Sequence, residues 1–182
     1  MPRPKPCARR RAFTLVELLT ALAIAAVLFA LALPSFASFI NEQRLLNEAR
    51  RVADAITLAR SEALKRNGHV VLCATPPAVL CGDADHWHHG WTMFEDLDDN
   101  AEIDAGDAIM GLEAAAADGV TIVGNRPVAQ YLRFNYAGQA RMVSGALQMG
   151  TIEVCKPGLK GYLVVLANSG RTRIDRRPGT CP

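Results

Sequence analysis

The stretch FTLVELLTALAIAAVLFALALP, Phe13 to Pro34, constrains everything that follows it. It comes after a short basic leader, MPRPKPCARRRA, and its only charge is Glu17. The 21 residues from Phe13 to Leu33 form a helix of about 31 Å, enough to cross the roughly 30 Å hydrocarbon core of a bilayer. A carboxylate in such a segment costs a few kcal/mol on insertion and ordinarily has a partner. Nothing else in the segment supplies one for Glu17.

Three readings fit a basic leader followed by an apolar helix. A cleaved secretory signal has the same polarity, and Ser35-Phe36-Ala37 is a passable cleavage site. Arg10-Arg11-Ala12-Phe13 matches part of a twin-arginine export signal. The length of the apolar run and Glu17 argue against both. The third reading explains the carboxylate. Ala12-Phe13-Thr14-Leu15-Val16-Glu17-Leu18 resembles the class III signal of type IV pilins and pseudopilins. The resemblance implies that a prepilin peptidase cuts between Ala12 and Phe13 and that the new amino terminus is methylated. It also implies that Glu17, the fifth mature residue, pairs with the terminal amine of a neighbouring subunit. Pro34 stands where the family commonly has a helix-loosening proline. Ala12 departs from the glycine usual before the cut.

Lys and Arg number 20 in the whole chain against 18 Asp and Glu, but five of the basic residues lie in the leader. From Phe13 onward there are 15 basic and 18 acidic side chains, a net charge of −3. The charges are segregated. His69 to Asn125 contains eleven acids and no Lys or Arg; Arg126 to Pro182 contains nine basic residues and two acids. The first is an anionic surface and the second a candidate anion binder. Cys7 lies in the leader. The other four cysteines, Cys73, Cys81, Cys155 and Cys181, are an even set, which favours disulfides in an exported domain. Sequence allows three pairings, of which Cys73 with Cys81 and Cys155 with Cys181 are the simplest.

Beyond Pro34 the helix turns amphipathic. Phe36, Phe39, Ile40, Leu46, Ala49, Val52, Ala53, Ile56, Ala59, Ala63 and Leu64 recur at threes and fours, and Asn67-Gly68 is a stop signal. The expected divisions are a leader at 1–12, a transmembrane or fibre-core half-helix at 13–34, an amphipathic half-helix at 35–66 and a β-rich part at 67–182. Strands are expected at His69–Ala74, Trp91–Phe94, Ala108–Leu112, Val120–Val123, Tyr131–Phe134, Gln139–Val143, Gly150–Cys155, Tyr162–Ala167 and Arg171–Ile174. The fold class is α+β and type IV pilin-like, with one long N-terminal helix packed on antiparallel sheet.

Three constellations hold candidate chemistry. Cys81-Gly-Asp83-Ala-Asp85-His86-Trp-His88-His89 carries metal-ligating types, but no helix-borne His pair, and reads as a polar loop. Asp96, Asp98, Asn100, Asp104 and Asp107 follow the ligand spacing of a calcium loop. Ala101 stands where the turn needs Gly, Asp107 replaces the bidentate Glu, and strands flank the run, so a solvated acidic hairpin is the plainer reading and no metal or other cofactor is expected. Around Gly90-Trp91 to Asp104 the chain resembles the central region of the FimT/GspH group of pseudopilins. At the C-terminal hairpin, Arg171, Arg173, Arg176 and Arg177 place four guanidiniums within seven residues. They form a candidate phosphate-binding surface or a charged strand edge that resists aggregation. Gly170-Arg171-x-Arg173 resembles the GRxR motif of FimT-like minor pilins, which implies DNA binding during uptake. Lys160 and Arg141 are lesser candidates.

The chain has no G-x-S-x-G elbow and no phosphate loop, so an enzyme is not expected. The expectation is a minor pilin of the inner membrane with a periplasmic domain, later in a pilus fibre or tip, whose partners are other pilins, the prepilin peptidase and DNA phosphates. The alternative is a structural or priming pseudopilin of a pilus or type II secretion machine without DNA binding.

Overall fold

The computed structural model describes residues 14–74 and 87–182, with backbone alone at 31–35 and 37. One helix, α1, runs Leu15–Arg66. The Thr14 hydroxyl accepts the Glu17 backbone N–H at 3.2 Å, which satisfies one of the free amides of the first turn. Glu17 thus sits where the helix dipole favours a carboxylate. At the other end Asn67 turns left-handed (φ 52°), and Gly68 N–H donates to the Ala63 carbonyl at 3.2 Å. That bond closes the helix as the Asn-Gly pair led one to expect.

The chain divides into two compact units, residues 1–40 and 41–182. In the first, Leu15, Val16, Leu18, Leu19, Leu22, Ile24, Val27, Leu28 and Phe29 are all exposed, on every side of the helix. Among the described residues no helix is long and apolar enough to cross a membrane. The expected span at 13–34 lies partly outside them.

In the second unit α1 buries Leu45, Ala49, Val52, Ala53, Ile56, Ala59 and Ala63. The inward stripe therefore starts at Leu45, which the periodicity did not single out. Phe36, Phe39 and Leu64, assigned to the stripe, are exposed. The small residues at 49, 53, 59 and 63 allow the helix to approach the strands closely.

Eight strands follow: β1 His69–Cys73, β2 Trp91–Asp96, β3 Ala108–Glu113, β4 Thr121–Gly124, β5 Tyr131–Phe134, β6 Gly150–Cys155, β7 Lys160–Leu166 and β8 Thr172–Thr180. They form two antiparallel sheets, ordered β3-β2-β1-β5 and β4-β6-β7-β8. Alternate residues of both sheets meet the α1 stripe in one core: Val70, Leu72, Trp91, Leu132 and Phe134 from the first, Ile122, Ile152, Val154, Val164 and Leu166 from the second. A smaller cluster, Val71, Cys73, Phe94 and Ala101, lies on the other face of the first sheet. That explains why β1 is buried on both faces and reads as an unbroken apolar run.

Gln139–Val143 is not a strand. It is a run of turns with isolated bridges Phe134 to Ala140 and Arg141 to Leu147. The buried side chain of Gln148 does part of what a strand would do at the β5 edge. Its Oε1 accepts the Arg133 N–H at 3.0 Å, and its Nε2 donates to the carbonyls of Tyr131 and Pro127, both at 2.9 Å.

Candidate functional site

The β7–β8 hairpin turns through Asn168-Ser169-Gly170. Gly170 N–H donates to the Ala167 carbonyl and Ala167 N–H to the Arg171 carbonyl, each at 2.9 Å. Gly170 has φ +76°, and a Cβ there would stand 2.4 Å from the Gly138 carbonyl oxygen. Only glycine lets this turn seat against the neighbouring Asn135–Gln139 turn.

The strand period separates the four C-terminal arginines. Thr172, Ile174 and Arg176 lie opposite Leu166, Val164 and Tyr162, so they share the core-facing side. Arg176 stands 5.7 Å over the Tyr162 ring and 4.0 Å from Glu42 of α1. Arg173 and Asp175 lie opposite Val165 and Leu163, on the outer side. Arg173 Nε donates to Asp175 at 2.8 Å. Arg177 is half-buried, paired with Glu153, and donates to the carbonyls of Pro178 and Thr180. The Arg171 side chain is exposed and has no hydrogen bond or ion pair among the described residues. Of the four expected arginines, Arg171 thus lies at the turn and Arg173 on the outer side of β8. Arg176 belongs to the opposite face, and Arg177 is held by a carboxylate and the C-terminal backbone.

The lesser candidates do not join them. Lys160 pairs with Thr180 at the far end of a ladder that begins at Leu166 and Thr172, about 20 Å away along the strand. Arg141 reaches Gly145 and Gln139 in its own run of turns. A residue that sequence did not single out does approach: Arg60 of α1 donates from Nε to the Gly138 carbonyl at 2.8 Å. Its guanidinium lines a groove of about 310 Å³ with Thr57, Ser61, Leu64, Arg171 and Thr172. No local pattern links Arg60 to a turn more than a hundred residues later.

The acidic loop between β2 and β3 turns Asp96 inward and leaves Asp98, Glu102 and Asp104 exposed. Asp96, 2 % exposed, accepts the backbone N–H groups of Asp99, Asn100 and Ala101 at 2.9 to 3.2 Å. Asp107 accepts from Leu97 and Asp104. The Asn100 amide nitrogen donates to Asp98 at 2.9 Å and Asp104 at 2.6 Å, which points a donor at the carboxylates a cation would need. The Arg133 guanidinium, 4 % exposed, lies 3.8 Å from Asp96 and pairs with Asp99. Burial holds its pKa below the usual range while Asp96 opposes that shift. Desolvation and the neighbouring carboxylates of Asp104, Asp96 and Asp107 push Asp98 up. Among the described residues no group of three or more His, Cys, Asp or Glu is placed to hold a metal ion. The residues of the calcium spacing at Asp96, Asp98, Asn100, Asp104 and Asp107 are thus hydrogen-bonded within their own loop, with Arg133 beside Asp96 and Asp99.

Cys155 and Cys181 are bonded, tying the chain end to β6. Cys73 is also in a disulfide; Cys81 lies outside the described residues, as do His86, Cys7, Ala12 and Phe13. Of the histidine run, His88 is half-buried with Nδ1 3.4 Å from the Ile122 carbonyl, and Trp87 is a core residue whose Nε1 donates to Val128 at 2.9 Å. The Glu17 side chain is exposed and has no partner among the described residues.

The signature of the family described as type II transport protein GspH matches residues 48–170, and that of the prokaryotic N-terminal methylation motif matches residues 7–33. No curated protein sequence matches the chain. Among solved structures, the type IV minor pilin FimU of Pseudomonas aeruginosa is similar at 18 % identity and a TM-score of 0.52, over 77 % of this chain and 92 % of that one. The minor pseudopilin EpsH from the type 2 secretion system of Vibrio cholerae is similar at 14 % identity and a TM-score of 0.48, over 72 % and 96 %. The FimU likeness shows a shared fold: a helix packed on antiparallel sheets.

Proposed function

The chain belongs to the GspH family and is a minor type IV pilin or pseudopilin, and on that premise we propose that it captures DNA, without sequence preference, through Arg171 and Arg173 for uptake in natural transformation. One observation carries the reading: Arg171 has an unengaged guanidinium at an exposed turn, with Arg173 two residues on, on the outer side of β8. Phosphate oxygens are the fitting ligand, because a guanidinium matches them bidentately. Phosphate contacts fix position and read no bases, hence the absence of sequence preference. The mature chain is net negative, so attraction must be local. Binding of random-sequence DNA by the full chain in detergent, measured against salt concentration, tests this. The expected result is weak binding whose logarithm falls linearly with log salt; no binding at low salt contradicts it.

Assembly is the second part of the proposal. Family membership implies contact with other pilins and with the prepilin peptidase. We place the cut between Ala12 and Phe13, with methylation of Phe13, insertion of the 13–34 half-helix in the inner membrane and the rest in the periplasm before entry into a fibre or tip. The unpartnered Glu17 and the apolar residues exposed around it support this, since each needs a cover that this chain does not supply. Glu17→Ala should insert in the membrane and fail to enter the fibre; normal incorporation would contradict the pairing.

A purely structural or priming pseudopilin is the competing reading, and the exposed apolar edge of β3 favours it. Ile109 and Leu112 stand exposed on this edge strand, which pairs with β2 on one side alone, a surface suited to another subunit. The salt titration separates the two.

A further inference from the structure

The groove between α1 and the β7–β8 turn differs from a flat basic patch. Arg60 and Arg171 line it from two sides, and no carboxylate does. Arg60 uses Nε on the Gly138 carbonyl, and its two terminal nitrogens make no hydrogen bond among the described residues. The Thr57 and Ser61 hydroxyls donate back into the helix, to Ala53 and Leu58, so an anion entering the groove meets the two guanidiniums. A duplex presents its phosphates on a convex outer surface. The groove, by contrast, is a recess of about 310 Å³ between the helix and the turn.

The turn beside the groove supplies the second half of the site. The carbonyl of Gly138 is both the acceptor for Arg60 and the atom that Gly170 packs against. Two residues earlier on that turn, Tyr136 is 60 % exposed. The turn is rigid at this point: Asn135 Oδ1 accepts the N–H groups of Ala137 and Gln139, and Gly138 N–H donates to the Asn135 carbonyl. An exposed aromatic ring on a fixed turn next to a basic groove has the composition of a single-strand site, where bases stack and guanidiniums follow the backbone.

We propose that the groove binds single-stranded DNA, with Arg60 and Arg171 on one backbone phosphate and Tyr136 as the stacking platform for a neighbouring base. The inference rests on the DNA-capture reading and narrows its ligand.

The test compares a fluorescent oligothymidylate with a duplex of matched length, using the full chain in detergent. Wild type should favour the single strand. Tyr136→Ala should weaken single-strand binding about tenfold and leave duplex binding unchanged. Tyr136→Phe, which keeps the ring, should bind as wild type does. Arg60→Gln should lower the single-strand salt slope by about 0.7. Equal binding of both forms with no effect of Tyr136→Ala overturns the groove site while leaving a backbone-binding patch at Arg171 and Arg173. Binding of neither form overturns DNA capture itself, and the groove site with it.

Discussion

Two charged segments of this chain look alike in sequence and behave differently in the fold. Between Asp96 and Asp107 the buried Asp96 and half-buried Asp107 accept backbone amides, and Arg133 lies beside Asp96. From Gly170 to Arg173 the turn leaves Arg171 with nothing to answer its charge. The loop is long enough to curl over the first sheet, and its Asp99 and Ala101 adopt left-handed conformations to do so. The hairpin turn is short and held by two backbone bonds, so its side chains have no slack to fold back. Density of charge in sequence is therefore a poor guide to availability. What counts is whether the local backbone supplies partners.

The comparison can be broken first at Arg133. Replacing a buried guanidinium leaves Asp96 buried without its charge partner, so Arg133→Ala should cost about 3–5 kcal/mol in urea unfolding. A loss of under about 1 kcal/mol would mean that the backbone amides alone satisfy Asp96. The corresponding anchor in the basic half is the disulfide. Cys155→Ser with Cys181→Ser opens a crosslink between residues 26 apart and should cost about 3–4 kcal/mol by the chain-entropy account. It should also raise hydrogen exchange at the end of β8 more than at the Gly170 turn. Uniform exchange along β8 would show that the tail does not depend on the bond. The smallest expected effect is that of calcium. A loop that already satisfies itself should show no rise in melting temperature at millimolar calcium. A rise would mean that the loop reopens into an oxygen cage, since only binding to the folded state stabilises it.

Much of the fold was legible because its signals are local. Asn67-Gly68 ended α1 at Arg66, and β6 fell at Gly150–Cys155 as its alternation implied. The period of two would also have separated Arg176 from Arg171 and Arg173, since its residue parity differs. What sequence could not show were substitutions of one kind of group for another. Gln148 stands in for a strand at β5, and Arg133 stands where a cation was considered. Arg60 meets Gly138 and Gly170 only through tertiary packing. Leu45 was missed because the exposed Phe36 and Phe39 carry the same period without a core to face.

The most direct measurement sets the two halves of the arginine cluster against each other. Arg171→Ala with Arg173→Ala and Arg176→Ala with Arg177→Ala remove the same charge from the same strand and its adjoining turn. Salt-dependent DNA binding of the two double variants isolates position from charge. The first pair should lose most of the binding and reduce the slope of log affinity against log salt by about two on duplex DNA, one counterion release per phosphate contact. The second pair should bind nearly as wild type does. Equal losses in both variants, or none in the first, would contradict the claim that the exposed turn is what holds DNA.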